Sequence, residues 1–590
     1  MSVVPEHSTR ITHAPMADWA APNRWTSAVF AAKAFVHRAH RALIDVASGP
    51  RRLSKVEVAG FDVIAGESRS PLWADARPEE LAYQRGKVQN LRRATALLDG
   101  VVVPAGAVFS FWKQIGRASR RRGFVTGRML QQGCLVPVTG GGLCQLSNAI
   151  YDAALQTGCE IVERHAHSRR VAGSAAALGR DATVAWNYVD LRFRPRHPLR
   201  IEARLIRDDL IIRFHAPLGA PATQPERATR PPVARSCATC GEVSCFMHEH
   251  RADHSANGDR TAYLVDENWP EFQDYIASSH AETDVFGQPI DGVRWRLPRY
   301  RWRSESFAIR GTASVQALRR MIAIRRAAAQ GPTRRNAELA GAERVARRLA
   351  RLLTPDVTRV CVAQSLLPAL WQHGHLGGRE VEVLMTRLPM TELQARLDTA
   401  LAAHPERATL GDFRAPATLV AAEAAALAYA ARIVTPHRDI AALFPDRATL
   451  LEWKLPPAPP QARDPRPRRI AFPGPTVARK GAHALREAAR ALGLEVVLLG
   501  SELEGPEFWR GLVTHKPAAN ADWLIDVVAV VQPALVEERP RALLAALAAG
   551  VPVIATPACG LAAQDGVTLV PSDDPVALIE TLRVVLNERI

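Results

Sequence analysis

Short apolar runs rich in β-branched residues alternate with Ala- and Leu-rich stretches through the second half of this 590-residue chain. Each run has the length of a strand, and the stretch after it has the spacing of an amphipathic helix. This order is typical of parallel sheets covered by helices on both faces. The runs are VTRVCVAQSL, VEVLMTRL, ARIVTP, RRIAFPG, EVVLLG, DVVAVVQPAL, VPVIAT and VTLVP. Proline is dense from Leu455 to Pro467, and a split there predicts two α/β lobes with a cleft between them.

The first half of the chain has a different pattern. Residues 181–195 and 199–215 alternate apolar and polar side chains, as half-buried antiparallel strands do. A Pro-, Ala- and Arg-rich segment from Pro217 to Pro232 has no hydrophobic period and indicates a linker. We therefore predict a multidomain protein with an N-terminal extension (1–65), an α+β domain (66–217), a Cys-rich segment (218–255) and two Rossmann-like α/β lobes (256–455 and 456–590).

The formal net charge of +17 is carried by 69 arginines and 7 lysines. The arginines are spread along the whole chain beside an excess of alanine, a composition typical of a GC-rich genome. No cluster of Lys and Arg alternates with aromatic residues, as a groove for single-stranded nucleic acid requires. The sequence therefore predicts no nucleic-acid partner.

No run of about 18 apolar residues is present, which argues against a transmembrane segment. Residues Met1 to Leu53 do not have the pattern of a secretory signal. The stretch from Trp25 to Val46 has two interpretations, an amphipathic helix on a membrane surface or a helix packed on the next domain. Eight cysteines do not make a disulfide scaffold in a chain of this size. We expect a cytoplasmic protein, with peripheral contact at the inner membrane face as the additional hypothesis.

A cysteine stands between three glycines and a helical pattern in TGGGLCQLSNAIYDAALQTG, residues 139–158. Cys144 falls at the helix N-terminus, where the helix dipole and free N–H groups favour a thiolate. His167 and Asp181 follow in later strand-like segments. The three residue types can form a nucleophile, a base and an orienting carboxylate. The alternative is a buried structural cysteine beside glycines that permit close packing.

Three of the eight cysteines lie within nine residues in the Cys-rich segment CATCGEVSCFMHEH. Their spacing predicts a structural zinc site, since Cys-x2-Cys suits tetrahedral zinc and a segment this short has little core of its own. A redox-active thiol pair and cysteines packed between domains are the alternatives. The predicted zinc ligands are Cys237, Cys240, Cys245 and His248.

Residues 468–492 run in the order strand, Gly-containing turn, basic residue and helix. A cation beside a helix N-terminus binds diphosphate, so Arg479 and Lys480 are the predicted diphosphate ligands. Glu537 precedes a later helix, where a carboxylate can accept hydrogen bonds from sugar hydroxyls.

Residues from about Gly66 to Pro217 resemble the VanW family, the vancomycin B-type resistance accessory proteins. The blocks that carry the resemblance are VFSFW, RGFVTGRML, GGGLCQLSNAIYDAAL, EIVERHAHS and RDATVAWNYVDLRFR. The resemblance implies a cell-envelope and glycopeptide-resistance context but no established reaction. The family motif residues fall here on Gly140, Gly141, Gly142, Cys144, Gln145, Ser147, Arg164, His167, Ser168, Asp181 and Asp190.

The region from Arg468 to Ile590 resembles GT-B glycosyltransferases of the group 1 (family 4) type, and the lobe before it looks like their acceptor lobe. This resemblance implies that the C-terminal lobe binds a nucleotide sugar. Glu537 matches the first glutamate of the family's Glu-x7-Glu pair, whereas Ala545 stands where the second glutamate commonly holds the ribose. His373, His375 and the residues from Gly377 to Arg379 are expected to face the cleft from the acceptor lobe.

Together these patterns predict sugar transfer from a nucleoside diphosphate donor to a cell-envelope or surface glycan. A second hypothesis is a Cys144- and His167-dependent amidase or transpeptidase acting on a peptidoglycan precursor. A third is a non-catalytic scaffold that binds envelope precursors.

Overall fold

The structure is a computed structural model of the full chain, and it describes residues 23–55, 60–73, 78–131, 134–167, 180–217, 235–236, 259–328, 331–458, 468–517 and 523–587. The chain divides into two compact units, Met1–Asn257 and Gly258–Ile590. We call them unit 1 and unit 2 and describe each by itself.

Unit 1 mixes helices with short antiparallel strands. Its elements are α1 (Arg24–Ser48), β1 (Val63–Pro71), α2 (Pro78–Leu98), β2 (Val102–Val103), β3 (Phe109–Ser110), α3 (Phe111–Ile115), β4 (Thr126–Gln131), β5 (Cys134–Thr139), α4 (Leu143–Gln156), β6 (Glu160–Glu163), β7 (Arg192–Arg194), β8 (Leu199–Ile206), β9 (Asp209–Ala216) and β10 (Arg235–Ser236).

The core of unit 1 lies between the β8–β9 hairpin and helices α2 and α4. β8 and β9 pair antiparallel from Arg200 opposite His215 to Ile206 opposite Asp209, within a sheet of order β1-β9-β8-β2. Leu146, Ile150 and Ala153, three to four residues apart on α4, are fully buried in this core. The predicted α+β architecture is therefore confirmed.

The three glycines before α4 are explained by close packing of the backbone. A Cβ atom on Gly141 would lie 2.3 Å from the carbonyl carbon of Gly127 in β4. Gly142, the N-cap of α4, has a φ of +96°, and its Cβ would lie 2.2 Å from Cγ of Lys87 on α2. Asn90 donates to the Gly141 carbonyl at 2.9 Å. The start of α4 is thereby fixed between α2 and β4, because side chains at these positions would separate the elements.

Unit 2 alternates strands and helices. Its elements are β11 (Arg260–Leu264), α5 (Pro270–Ser279), β12 (Val285–Gln288), β13 (Ile309–Thr312), α6 (Ser314–Arg326), α7 (Pro332–Leu349), β14 (Val357–Ala363), α8 (Leu367–Gln372), β15 (Glu380–Leu384), α9 (Met390–Ala403), α10 (Ala417–Tyr429), β16 (Arg432–Thr435), α11 (Arg438–Ala442), β17 (Ala448–Leu450), β18 (Arg469–Phe472), α12 (Ala482–Leu492), β19 (Glu495–Leu498), β20 (Thr514–His515), β21 (Ala529–Gln532), α13 (Arg541–Ala548), β22 (Val553–Ala555), β23 (Val567–Leu569) and α14 (Pro575–Asn587).

Two parallel sheets organise unit 2. The first has the order β13-β12-β11-β14-β15-β16-β17 and the second β20-β19-β18-β21-β22-β23. The inner strands of both sheets, such as β12, β18, β21 and β22, are buried, as sheets covered on both faces require, whereas the edge strands β13, β17 and β20 are partly exposed. Each of the eight apolar runs singled out in the sequence contributes one strand. The prediction of two α/β lobes is confirmed.

Candidate functional site

Cys144 occupies the first turn of α4, as the helical spacing predicted. Its side chain is partly buried against the core of unit 1. The sulfur lies 3.8 Å from the carbonyl oxygen of Val184 and 3.9 Å from Oγ1 of Thr183. Thr183 and Val184 were not singled out in the sequence, because nothing in their spacing shows that this segment crosses the N-terminus of α4.

The segment from Asp181 to Val184 is held on α4 by two side chains of the helix. Ser147 donates to the carbonyl of Ala182 at 2.6 Å, and Asn148 accepts from the backbone N–H of Ala182 at 2.8 Å. The sequence block around Cys144 thus also contains the two side chains that hold the segment from Asp181 to Val184 against α4.

His167 and Asp181 come together beside this cysteine. Nδ1 of His167 lies 2.8 Å from Oδ2 of Asp181, which also accepts from the backbone N–H of His167 at 2.7 Å. Arg164 donates to Oδ1 of Asp181 at 2.9 Å and to the Asp181 carbonyl at 2.7 Å. The Cys144 thiol and the His167 ring are close enough to interact, and this interaction shifts the pKa of both groups. The three predicted residues therefore converge, with Arg164 as a fourth member that orients the carboxylate.

The charges of this cluster favour a thiolate paired with an imidazolium. Burial works against both ions, yet the hydrogen bonds that the His167 ring donates to Asp181 and Cys144 raise the pKa of His167 to about 9. The His167 hydrogen bond and charge likewise outweigh burial and hold the pKa of Cys144 below its usual range. Burial and His167 act in opposite directions on Asp181, and the net effect lowers the pKa of this carboxyl. An imidazolium between a thiolate and a carboxylate is the ionic arrangement of a cysteine nucleophile.

The other thiols that the structure describes have the opposite character. Burial raises the pKa of Cys159 to about 11 and that of Cys559 to about 12, and it raises the pKa of Cys361 as well. These three cysteines are buried and unpaired. They are structural thiols, so Cys144 differs from them in both environment and acidity.

The predicted zinc ligands Cys237, Cys240, Cys245 and His248 lie outside the described residues. Within the described ranges, no group of three or more His, Cys, Asp and Glu side chains is arranged to hold a metal ion. The zinc site stays a sequence prediction.

In unit 2, Lys480 and Glu537 form an ion pair at the carboxyl ends of β18 and β21. Nζ of Lys480 lies 3.0 Å from Oε2 of Glu537 and 3.0 Å from the Val536 carbonyl. Glu537 also accepts from the side chain of Gln532 and, at 2.8 Å, from the backbone N–H of Arg539. Burial favours the neutral acid, but the charge of Lys480 outweighs it and keeps the pKa of Glu537 below its usual range.

Arg479, the other predicted diphosphate ligand, stacks on an aromatic ring. Its guanidinium carbon lies 5.0 Å from the ring centre of Phe413, and that of Arg335 lies 4.3 Å from the same centre. Among the described residues, Arg335 Nε, Arg387 Nε, Arg479 Nη1 and Glu538 Oε1 are buried and have no hydrogen-bond partner. Buried guanidinium groups with unused N–H donors are suited to an anionic ligand. Arg335, Arg387 and Glu538 were not predicted, although Glu538 directly follows Glu537.

A cavity of about 220 Å³ opens where β11, β14 and β15 end. Arg387, Glu538 and Arg539 line it together with Asp266, Glu267, Trp269 and Ser365. Asp266 is itself fixed by Arg320, whose guanidinium donates to both carboxylate oxygens at 2.6 and 3.0 Å. The carboxyl ends of parallel strands are the usual place for ligands in such folds. The cavity is smaller than the 300–1,000 Å³ or so of a typical small-molecule pocket.

The expectation that His373, His375 and Arg379 face the cleft is wrong for Arg379. Its guanidinium donates to the carbonyls of Val357, Leu353, Thr354 and His375. Val357 is the first residue of β14, and Arg379 immediately precedes β15, so this arginine lies at the amino ends of the strands, opposite the cavity. His373 lies near it and accepts from Arg347 at 2.9 Å. Neither histidine is among the residues that line the cavity.

Two family models match this chain. The model for VanW-like proteins matches residues 86–215, and the model for group 1 glycosyl transferases matches residues 468–588. The chain therefore contains a VanW-like domain in unit 1 and a group 1 glycosyltransferase domain in unit 2.

Two curated proteins are similar to unit 1. The uncharacterized protein YoaR of Bacillus subtilis is 31% identical over 174 residues, which are 28% of this chain and 57% of YoaR. The vancomycin B-type resistance protein VanW of Enterococcus faecalis is 32% identical over 118 residues, which are 20% of this chain and 43% of VanW. The chain thus spans about half the length of the curated relatives it matches.

Solved structures resemble unit 2 at low identity. Sucrose-phosphate synthase from Thermosynechococcus elongatus is 14% identical, with 56% of this chain and 90% of that one covered and a TM-score of 0.36. HepE from Anabaena, solved with UDP and glucose, is 11% identical, with 56% and 90% covered and a TM-score of 0.32. These values describe a distant structural similarity.

Proposed function

We propose that unit 2 transfers a sugar from a nucleoside diphosphate donor to a cell-envelope or surface glycan. The observation that supports this most is the Lys480–Glu537 pair at the carboxyl ends of β18 and β21, within a segment that matches group 1 glycosyltransferases. A cation and a carboxylate at this edge of a parallel sheet suit the two halves of a nucleotide sugar, the diphosphate and the sugar.

In this proposal, Lys480 and Arg479 bind the diphosphate. Lys480 follows the turn after β18 and directly precedes Gly481, the N-cap of the eleven-residue helix α12, so this segment leads into a helix N-terminus, which attracts anions. Arg479 has a buried, unused N–H group in the same segment. When the acceptor hydroxyl attacks the anomeric carbon, the bond to the diphosphate breaks, the hydroxyl loses its proton to solvent or to the departing diphosphate, and the leaving group gains charge. These cations stabilise that charge.

Glu537 and Glu538 are the proposed ligands of the donor sugar. A carboxylate has about four acceptor sites. Glu537 already accepts from Lys480, Gln532 and Arg539 and so has roughly one left for a sugar hydroxyl. Oε1 of Glu538 is buried without a described partner and faces the cavity region.

The direct test is binding of nucleoside diphosphates to the full-length protein, followed by donor hydrolysis. We expect UDP, GDP or another nucleoside diphosphate to raise the melting temperature of unit 2, with the effect removed by Lys480→Ala. Lys516→Ala is the matched control, because Lys516 is exposed and pairs with Glu502 elsewhere in the same lobe. Failure of every nucleoside diphosphate to bind would leave only the scaffold hypothesis for unit 2.

A second activity is proposed for unit 1, because the Cys144–His167–Asp181 geometry favours it. We infer thiol-dependent acyl transfer on an amide- or ester-bearing envelope precursor, such as the peptide of a peptidoglycan precursor. The thiolate sulfur forms a bond to the carbonyl carbon, and His167 gives its proton to the departing amine or alcohol. Water or a second amine then attacks the thioester, loses its proton to His167 and restores the thiolate.

This second activity is tested by trapping the thioester. We expect mass spectrometry to find an acyl adduct on Cys144 after incubation with an activated acyl donor. Cys144→Ser should abolish the adduct, and Cys159→Ser should leave it unchanged because that thiol is buried.

The unpaired described cysteines also fit the reducing cytoplasm that we propose as the compartment.

A further inference from the structure

Helix α1 packs on unit 1 through polar side chains and turns its apolar face to solvent. Arg41 forms a bidentate pair with Glu163 at 2.6 and 2.8 Å. Asp45 pairs with Arg192 at 2.9 and 3.0 Å, and Arg38 donates to the Trp186 carbonyl at 2.6 Å. These residues recur at the three- and four-residue spacing of one helix face, together with Ala34, which is buried.

The opposite face of α1 is exposed and apolar. Trp25, Val36 and Leu43 follow one another on this face at helical spacing, with 76%, 63% and 72% of their surfaces accessible. Val46 and Phe35 widen it, at 89% and 71%. A helix packed on its own domain normally buries such a face, so this arrangement reverses the usual amphipathic pattern.

We propose that this apolar face of α1 lies in the interface of an anionic lipid bilayer. α1 spans 25 residues, about 37 Å at 1.5 Å per residue, which gives a long line of contact. No helix among the described residues is long and apolar enough to cross a membrane. The helix therefore lies on the surface, and this inference is independent of the proposed sugar transfer.

Charge complementarity identifies the surface as a bilayer with anionic lipids. Lys33 and His40 border the apolar face on one side and Arg24 borders it on the other, by helical geometry. The one carboxylate of α1, Asp45, is neutralised by Arg192 on the packed face, where Arg41 is likewise paired with Glu163, so no acidic side chain of α1 lies at the apolar face. A helix with aromatic and aliphatic residues on one face and cations at its edges is the pattern of interfacial membrane helices. Long cationic side chains at the edge reach the phosphates while their methylene groups stay with the apolar face.

The experiment is flotation of full-length protein with vesicles of phosphatidylcholine alone or with added phosphatidylglycerol. We expect binding to the vesicles that contain phosphatidylglycerol and a loss of about tenfold or more in the partition coefficient for Val36→Ser/Leu43→Ser. Both side chains are exposed, so the fold should persist, and an unchanged melting temperature verifies this. Val576→Ser is the matched control, because Val576 on α14 of unit 2 is 63% exposed. Lys33→Glu should weaken binding to the anionic vesicles.

Two outcomes would overturn the proposal. The first is flotation that is absent, or that is equal in the double variant and the wild type. The second is self-association, measured by sedimentation, that the double variant abolishes while vesicles bind neither protein. In that case, the apolar face of α1 pairs two copies of the chain.

Discussion

Nδ1 of His167 lies 2.8 Å from Oδ2 of Asp181, and the same carboxylate oxygen accepts the backbone N–H of His167 at 2.7 Å. The ring is thus fixed with Nδ1 protonated towards the carboxylate and its other nitrogen available to Cys144. Arg164 fixes the carboxylate in turn. Ring orientation, tautomer and charge all follow from these three contacts.

The first prediction concerns alkylation of Cys144 by iodoacetamide. Because the His167 charge lowers the pKa of this thiol, we expect its reaction at about pH 6–7 to be faster than that of an ordinary cysteine. His167→Ala should raise the thiol pKa and slow the reaction at this pH by about tenfold or more. Peptide mapping by mass spectrometry measures the rate at each cysteine. Cys159 should stay unlabelled, since its pKa is about 11; equal rates in wild type and H167A would contradict the ion pair.

The second prediction separates thiolate reactivity from acyl transfer. Alkylation needs only the thiolate and should stay high as pH rises. Transfer to an acceptor also needs the imidazolium, and His167 loses its proton at about pH 9. We therefore expect the rate of acyl transfer to fall above about pH 9 while alkylation does not. If the rates of acyl transfer and alkylation change with pH in the same way, His167 donates no proton in the transfer.

The third prediction concerns Lys480. Removal of its ammonium group deletes a charge-assisted contact to the proposed diphosphate, and each such contact contributes about 1.5–3 kcal/mol. Lys480→Ala should therefore weaken binding of a nucleoside diphosphate by about 10- to 100-fold. Isothermal titration calorimetry measures this, with Lys516→Ala expected to bind as the wild type does. Equal weakening in the two variants would indicate a general charge effect instead of a site at Lys480.

The fourth prediction concerns the turn that carries Lys480. Gly481 has a φ of +80°, and a Cβ there would lie 2.0 Å from the Pro533 carbonyl oxygen. Gly481→Ala should lower the stability of unit 2 by about 2 kcal/mol or more. The alanine would have to adopt a left-handed backbone conformation, and its Cβ would clash with the Pro533 carbonyl oxygen. Gly411→Ala is the control, since no atom lies within 4 Å of its Cβ position. Urea unfolding followed by tryptophan fluorescence compares the two.

The fifth prediction concerns the ion pair Arg541–Glu271, which joins helices α13 and α5 of unit 2. The Glu271 side chain is fully buried and accepts from Arg541 at 2.6 and 2.8 Å. Arg541→Ala leaves that carboxylate buried without its cation, which should cost about 3 kcal/mol or more. The double variant with Glu271→Gln should recover part of the loss. The exposed pair Arg510–Glu507 provides the control, and Arg510→Ala should change stability by less than about 0.5 kcal/mol.

Elements with strong local patterns were predicted well, except that residues 181–195, predicted as one strand, form a strand only at Arg192–Arg194. Eight apolar runs became strands of the two parallel sheets, and the spacing of Leu146, Ile150 and Ala153 identified the buried face of α4. β12 (VFGQ) and β13 (IRGT) were missed because a short strand with a glycine has little pattern of its own. Their pairing with β11 comes from the sheet, not from local propensity.

The candidate sites depended on spatial information to different degrees. Cys144, His167 and Asp181 were found by residue type and order, whereas the contacts of Ser147 and Asn148 with residue 182 that bring them together were not foreseen. Arg335 and Phe413 are far apart in sequence, and no periodicity relates them to Arg479. Arg379 was placed at the wrong end of the sheet because the sequence of a Gly-Gly-Arg turn does not indicate whether it lies at the amino or the carboxyl ends of the strands.

The contacts that hold α1 have a geometric consequence for Cys144. Arg38 donates to the carbonyl of Trp186, and the carbonyl of Val184, two residues earlier, lies beside the Cys144 sulfur. Arg41 binds Glu163, which directly precedes Arg164. If α1 lies on lipid, these contacts hold the segment beside Cys144 at a fixed position relative to the bilayer. Membrane-bound substrates would then reach this thiol by lateral diffusion in two dimensions.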